Sequence, residues 1–455
     1  MKRFLTTLNN IWNIEELRKR ILLTIGLLAV YRFGAFIVLP GVDASKIQTQ
    51  DAAEGAKDLL DLINTFTGGA FNSASVFALG IMPYITASII IQLLGFAVPY
   101  FQRLQKDGET GRKKLTQITR ALTLAITFLQ GTAYLRMIAN DGLVMDGISM
   151  PIFTICNLII LSAGTIFAMW LGERITDRGI GNGVSLLITV GIIASLPQSF
   201  AAEIGAQSGT FLVLILELAA LFGIIMVTVL IVQGIRRIPV QYAKQVSGRG
   251  SNIAGMKMQN ERDFIPLKVN AAGVMPIIFA QAILFLPATI GQYLISNGSE
   301  LGGGLYAQLS NPFSVISSIL AFILVVGFTY IYTALMVNPK DYADYLKNMN
   351  AFIPGVKPGQ PTADLIDTIT SRITLPGSIF LGLIAILPAF AVAAGVNQGF
   401  AIFFGGTSLL ILVAVVLDTL AQIESYLLLK HYDGLMKSGR IQGKQSRMQN
   451  IGAGM

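Results

Sequence analysis

Residues 74–98 read ASVFALGIMPYITASIIIQLLGFAV, a stretch of 25 residues without one charged side chain. A transmembrane helix needs about 20 consecutive apolar residues to cross a hydrocarbon core of about 30 Å. The stretch is therefore long enough to span a bilayer, and it predicts that this chain is a membrane protein.

Nine further stretches share this length and apolar character. All ten predicted spans lie near residues 21–39, 74–98, 121–138, 152–171, 184–200, 211–232, 271–295, 313–337, 373–394 and 401–428. The predicted fold is all-α and polytopic, with about ten transmembrane helices. Residues 1–20 are basic and amphipathic, and no signal-peptide cleavage site follows the first span. They predict an interfacial helix in front of a span that stays attached.

The composition of the 455 residues supports a membrane protein and excludes most kinds of site chemistry. Hydrophobic residues make up 53% of the chain and charged residues 13%, whereas soluble proteins are about 25% charged. One cysteine, Cys156, and one histidine, His431, give no material for a disulfide, a zinc site or a haem site. No phosphate-binding P-loop motif occurs in the sequence. We therefore expect no enzyme activity and no cofactor, and we expect energy to come from a partner.

Basic residues lie on alternate connections between the predicted spans. Of the 33 Lys and Arg residues, 29 fall on the side that carries both termini, while Arg32, Lys46, Lys57 and Arg136 lie elsewhere. Because cytoplasmic loops carry the excess of Lys and Arg, both termini are predicted to be cytoplasmic.

Two of the basic connections, residues 236–268 and 338–372, are unusually long. Each has about 30 residues, where connections between packed helices usually have about 2 to 8. Their length and charge predict a docking surface for a large partner, which could be an acidic molecule such as RNA. Membrane topology and attraction to anionic lipid are the alternative explanation of the charge.

Ten spans divide into two sets of five, which we assign to residues 1–205 and 206–455. An odd number of spans per set makes the second set begin on the opposite side of the membrane, so the halves are predicted to be inverted. The second helix of each set contains a similar motif, GIMP at residues 80–83 and GVMP at residues 273–276. Chance similarity is the alternative, but such Gly- and Pro-interrupted segments mark the central pathway in inverted-repeat membrane proteins.

Residues 58–76 form an apolar stretch that is too short to cross a bilayer and is interrupted by Gly68, Gly69, Asn72 and Ser73. A half-helix at membrane depth is tolerated only where protein or a water-filled cavity surrounds it. The stretch predicts a re-entrant element in a central cavity. An interfacial helix outside the membrane is the alternative.

Few ionisable residues lie in the middle of the predicted spans, whereas ion-coupled transporters display such residues there. Arg32 is the exception, and we interpret it as an anchor at the outer end of its helix that caps carbonyl groups. The central helices carry isoleucines at helical spacing instead. Such residues usually serve packing, but around a pore they would form an apolar constriction that resists ions by dewetting.

Five motifs closely resemble the SecY family of bacterial protein-conducting channels. They are FALGIMPYITASIIIQLL (77–94), GIGNGV (179–184), RRIPVQYAK (236–244), PLKVNAAGVMP (266–276) and GGTSLLIL (405–412). The resemblance covers nearly the whole chain. It implies two inverted five-helix halves around a central hourglass pore, a re-entrant plug helix, and a lateral opening between the halves.

The resemblance also assigns residues to the pore and its plug. The pore ring corresponds to Ile81, Ile85, Ile188, Ile192, Ile278 and Ile411. The plug, which would close the resting channel from the outer side, corresponds to the segment near residues 60–71, with Leu60, Ile63, Phe66, Gly68, Gly69 and Phe71. Its glycines suit a helix that must shift.

By the same resemblance, a lateral gate lies between the second and third helices and the seventh and eighth. Its candidate polar residues are Gln92, Gln130 and Asn270, and the candidate partner-docking residues are Arg236, Arg237, Lys244, Arg249 and Lys357. Lys357 stands where the family commonly has Arg, and Lys keeps the positive charge but lacks the planar guanidinium fork that makes bidentate contacts. The loop at residues 247–264 is also longer than in familiar members.

The predicted function is a passive channel that passes unfolded preproteins across the bacterial cytoplasmic (inner) membrane and releases membrane-protein helices laterally into it. The predicted partners are the SecE and SecG subunits, the SecA motor ATPase or a translating ribosome, preproteins with signal sequences, and anionic lipid. A secondary transporter for a small solute is the alternative function, and a scaffold for other membrane subunits is a third.

Overall fold

The computed structural model describes residues 12, 14–43, 64–145, 147–206, 211–242, 263–281, 283–284 and 313–437. The described chain is mostly helical, as the sequence predicts, with one small sheet. The helices are α1 (Glu15–Gly34), α2 (Met82–Ala97), α3 (Pro99–Lys106), α4 (Gly108–Asn140), α5 (Met150–Arg178), α6 (Gly183–Ala206), α7 (Phe211–Val232), α8 (Val315–Met336), α9 (Pro339–Asn348), α10 (Gln360–Ala393), α11 (Gln398–Ala401) and α12 (Gly406–Lys437). A 3₁₀ turn, Ile402–Phe404, joins α11 to α12.

Seven of the described helices are long and apolar enough to cross a membrane, and the bent pair α2 and α3 would make an eighth. The helix α1 has 20 residues but carries Arg18, Lys19, Arg20 and Arg32, so its composition is less apolar. About half of the predicted span at 271–295 lies outside the described residues, which are helical there at 275–281 and 283–284. The chain is a multi-pass membrane protein, and the count of ten spans stays a prediction.

The helix α2 begins eight residues later than the predicted span at residues 74–98, because it starts at Met82 rather than Ala74. Ala74 and Gly80 have positive φ angles of 43° and 51°, which a right-handed helix does not allow. Pro83 lies in the first turn of the helix, where its missing N–H costs no hydrogen bond. The residues before Met82 therefore form turns.

Buried hydroxyl groups inside the helices bond to their own backbone. Thr119, Thr123 and Thr127 form one stripe along α4, and each donates to the carbonyl four residues earlier at 2.7–2.9 Å. Within a membrane every polar group needs such a partner, because lipid offers none. Small residues on this stripe also allow close helix packing, and α4 packs on both α2 and α5.

The chain forms two compact units. The first contains the described residues within Met1–Thr49, Thr67–Gly191 and Val415–Met455, and the second those within Gln50–Phe66 and Ile192–Ala414. The first unit thus holds α1 to α5, and the second holds α7 to α11 with the sheet. The assignment of the two predicted repeats to residues 1–205 and 206–455 stays a prediction.

The two long basic connections fold together in the second unit. The strands β1 (Ile235–Tyr242), β2 (Asp263–Lys268) and β3 (Ala351–Phe352) form an antiparallel sheet with the order β2-β1-β3. Ile238, Val240 and Leu267 of this sheet pack with Leu346 of α9 and Ile366 of α10. The prediction that these connections are structured is confirmed for their described residues.

Candidate functional site

The segment predicted to be re-entrant is described over residues 64–76, which we call the re-entrant segment, and most of these residues are buried. Residues 64–67 form one helical turn, and Gly68 and Gly69 follow with φ angles of 67° and 90°. The glycines therefore end a helix rather than lie within one, which differs from the predicted shifting helix. Phe66 and Phe71 are buried. Leu60 and Ile63, which were also predicted to belong to this element, lie outside the described residues.

Most polar groups of the re-entrant segment that the structure describes bond within the segment itself. The N–H of Phe71 donates to Oγ1 of Thr67 at 3.2 Å. Ser73 Oγ donates to the carbonyl of Gly69 at 2.8 Å, and Ser75 Oγ donates to the carbonyl of Ala70 at 3.1 Å. The turn thus satisfies part of its own backbone, and non-helical chain buried within a membrane needs partners for the rest as well.

Two helices of the first unit contact this turn through side chains. Arg32, in the last turn of α1, donates from Nη1 to the carbonyl of Gly68. Tyr134, on α4, donates from its hydroxyl to the carbonyl of Phe71 at 2.6 Å. The rings of Tyr134 and Phe71 also pack, with centroids 4.6 Å apart. Arg32 caps a carbonyl, as predicted, but this carbonyl belongs to the re-entrant segment and not to its own helix.

The far end of the re-entrant segment is fixed by backbone hydrogen bonds. The N–H of Leu39 donates to the carbonyl of Ala74 at 2.8 Å, and the N–H of Val76 donates to the carbonyl of Ile37 at 2.9 Å. Val38 and Ser75 form an isolated antiparallel bridge between these bonds. The end of the segment is therefore held by backbone hydrogen bonds to residues 37–39, and its turn is held by the side chains of Arg32 and Tyr134.

Five of the six predicted pore isoleucines lie on helices, and Ile81 lies in the turn directly before α2. Ile81, Ile188, Ile192 and Ile411 are buried, while Ile85 and Ile278 are half-buried. The first unit contains Ile81, Ile85 and Ile188, and the second contains the other three. Their arrangement as one ring stays a prediction.

The predicted gate residues are buried or half-buried polar side chains. Gln92 on α2 is half-buried and donates to Ser88 at 3.5 Å, within its own helix. Gln130 on α4 is half-buried. Asn270 is buried, and its Oδ1 has no hydrogen-bond partner among the described residues.

The predicted docking residues that the structure describes are exposed. Arg236 and Arg237 lie on β1, and the guanidinium of Arg237 lies 4.8 Å from the ring centre of Phe264 on β2. Lys357 lies in the turn before α10, where its carbonyl accepts from Thr362 at 2.9 Å. Lys244 and Arg249 lie outside the described residues.

The connection at residues 179–183, which carries the GIGNGV motif, is held by the first and last helices. Thr24 of α1 accepts from the N–H of Ile180 at 3.1 Å, and Gln422 of α12 accepts from the N–H of Gly181 at 2.8 Å. Arg20 of α1 donates to the carbonyl of Gly179 at 3.4 Å. These contacts give the motif a structural role that its spacing alone did not indicate.

The family model for SecY matches residues 75–420. Protein translocase subunit SecY of Streptomyces coelicolor is 42% identical over 456 residues, which is 95% of this chain and 100% of that protein.

Two solved structures share the fold. One, described as "The plug domain of the SecY protein stablizes the closed state of the translocation channel and maintains a membrane seal", matches with a TM-score of 0.58 and 20% identity over 89% of this chain and 91% of that one. The other is Sec61 in the canine ribosome-channel complex from the endoplasmic reticulum, with a TM-score of 0.59 and 18% identity over 89% and 91% of the two chains.

Proposed function

This chain belongs to the SecY family, and we propose on that basis that it is the channel through which a protein translocase passes unfolded polypeptide. It is a translocation channel, neither an enzyme nor a transporter of small solutes. In the full proposal, preproteins with signal sequences cross the bacterial cytoplasmic membrane through it, and apolar helices leave it sideways into the lipid.

The observation that carries the proposal is the re-entrant segment, because a closed channel needs a part that fills the path and can leave it. This segment is short, buried and folded on itself. The related SecY structure is described by a plug that stabilises its closed state. We assign the re-entrant segment, with Phe66, Gly68, Gly69 and Phe71, as the plug of this channel.

The six isoleucines are proposed as the ring around the translocating chain. Their side chains offer no hydrogen bonds, so they would seal the path without selecting for sequence, and an apolar constriction resists ions by dewetting. A photocrosslinker at Ile278 should capture a stalled secretory chain. Capture at lipid-facing positions alone would contradict this assignment.

The lateral gate is proposed at Gln92, Gln130 and Asn270. An apolar signal sequence that leaves the path for lipid gains about 0.8 kcal/mol for each buried CH₂ group. Gln92 and Gln130 are half-buried and Asn270 is buried. Hydrogen bonds of such amides contribute about 1 kcal/mol each, so the gain from an entering signal sequence could open the gate.

The joined basic connections are proposed as the surface where a driving partner docks. Arg236, Arg237 and Lys357 are exposed on this part of the second unit, and Lys244 and Arg249 belong to the same connections in sequence. The canine relative was solved in a complex with a ribosome. A translating ribosome or the SecA motor is therefore the proposed partner, with SecE and SecG as small subunits, anionic lipid around the basic face and both termini in the cytoplasm.

The test is reconstitution of the chain with SecE and SecA in proteoliposomes. ATP-dependent import of a preprotein with a signal sequence is the expected result. If a small solute entered the vesicles through the chain without any partner while preproteins stayed outside, the proposal would be wrong.

A further inference from the structure

We propose that Arg32 and Tyr134 are positioning residues that hold the re-entrant segment in its closed place, each through one backbone carbonyl. The inference rests on the proposed function, because it assigns the device that keeps the plug seated. Arg32 and Tyr134 lie on helices that flank the segment, and each contacts it through its side chain. These contacts can break without unfolding the segment.

The first contact comes from α1. Arg32 is half-buried in the last turn of that helix, and its guanidinium lies 4.8 Å from the ring centre of Phe36. From this position Nη1 donates to the carbonyl of Gly68. A hydrogen bond from a charged donor is about twice as strong as a neutral one, so this is the stronger of the two contacts.

The second contact comes from α4. Tyr134 is 4% exposed, and its hydroxyl donates to the carbonyl of Phe71 at 2.6 Å. Its ring packs on that of Phe71, which fixes the direction of the hydroxyl. Arg32 and Tyr134 thus reach the segment from two different helices and bind carbonyls on the same turn.

The remaining bonds of the segment explain how it could move as a unit. Thr67, Ser73 and Ser75 bond within the turn, so the turn keeps its shape when it leaves Arg32 and Tyr134. Residues 74–76 stay paired with residues 37–39 through backbone bonds. With both side-chain hydrogen bonds released, the turn would be held by its packing, for example of Gly68 on the backbone of Gly191, and could move about residues 74–76.

The experiment measures ion conductance through the reconstituted channel complex with no preprotein present. Arg32→Met removes the charged donor and should raise the conductance about 10- to 100-fold, since hydrogen bonds to charged groups contribute about that factor to an equilibrium. Tyr134→Phe keeps the packed ring but removes the hydroxyl, and should raise it about fivefold.

Two further variants show whether the effect belongs to these contacts. Arg32→Lys keeps a charged donor and should recover part of the seal that Arg32→Met loses. Tyr100→Phe, at a side chain of α3 that is 59% exposed, is the matched control for Tyr134→Phe and should conduct as the wild type does. In the variant with both Arg32→Met and Tyr134→Phe, the two factors should multiply.

Failure of this inference differs from failure of the proposed function. Wild-type conductance in both Arg32→Met and Tyr134→Phe would overturn the positioning role while import by the wild type still supported a channel. Absence of import by the wild-type complex would instead overturn the channel itself. If Arg32→Met lowers the unfolding temperature, its conductance no longer reports on the contact alone. The conductance of Tyr134→Phe relative to that of Tyr100→Phe then decides whether the side-chain contacts hold the segment.

Discussion

The turn at residues 77–83 and the turn at residues 270–276 have the same local backbone, although they belong to different units. Gly80 and Gly273 both have left-handed φ angles, 51° and 65°. Each glycine donates its N–H to the carbonyl three residues earlier, at 2.8 Å in the first turn and 3.3 Å in the second. A helix begins at a methionine two residues later in both cases, at Met82 and Met275. The similar motifs therefore encode similar structures.

What precedes the two turns is different. The re-entrant segment comes before the first turn, and Phe77 stacks there between Tyr31 and Phe167, with centroids 5.4 and 6.0 Å away. Strand β2 comes before the second turn, and the N–H of Val269 donates to the carbonyl of Gly234 at 2.9 Å. The two motifs thus begin a helix in the same way, while the chain that precedes them differs.

The largest expected effect comes from Phe71→Ala, which removes a buried ring of the re-entrant segment that precedes the first turn. Truncating a buried Phe costs about 3–5 kcal/mol, and the contact of this ring with Tyr134 is lost as well. We expect the channel to conduct ions strongly at rest. Planar-bilayer recording measures this, and a tight seal in this variant would show that the segment does not close the path.

Gly80→Ala should have the next largest effect, because two causes act together there. An alanine at a positive φ is strained by about 1 kcal/mol, and its Cβ would lie 3.2 Å from Cγ2 of Thr67 and 3.3 Å from the hydroxyl oxygen of Tyr31. We expect a loss of about 1–3 kcal/mol in unfolding free energy. Denaturant unfolding in detergent micelles measures it.

Gly273→Ala is the matched substitution in the second turn and should cost less. The backbone strain is the same, about 1 kcal/mol, but among the described residues no atom lies within 4 Å of the new Cβ. The same unfolding assay compares the two. Equal losses of unfolding free energy in the two variants would mean that Thr67 and Tyr31, near the new Cβ at position 80, add nothing to the cost of the substitution.

Asn270→Leu should have the smallest effect on stability. Asn270 occupies the position in the second turn that Phe77 occupies in the first, and its buried Oδ1 lacks a partner among the described residues. Replacing such a group by an apolar one is close to neutral or stabilising, within about 1 kcal/mol. If import of preproteins with weak signal sequences changes while the unfolding free energy does not, the residue serves the gate. A loss above about 2 kcal/mol would assign it to the fold.

Much of the fold could be predicted from the sequence, because apolar length and the placement of Lys and Arg are local signals. The similar GIMP and GVMP motifs also predicted corresponding elements in the two halves, and their backbones agree. The start of α2 was misplaced, since Ala74 to Gly80 are as apolar as a helix but adopt turns.

The contacts of the candidate site could not be predicted in the same way. Arg32 stood out because it is a charge in an apolar helix, but nothing in its neighbours pointed to the carbonyl of Gly68. Nothing in the sequence pointed to the contact of Tyr134, because a tyrosine on the buried face of a helix is common. The pairing of Gln241 on β1 with Phe352 on β3 likewise joins connections that are distant in the chain, where periodicity carries no information.

The bond between Gly181 and Gln422 has a consequence for how the protein is made. The ribosome builds the chain from its N terminus, so the connection at residues 179–183 is complete long before its partner on α12 exists. The first unit also includes the described residues within Val415–Met455. Its earlier helices therefore lack this bond until α12, the last described helix, has been made, and a chain truncated before Gln422 would lack both the bond and the end of that unit.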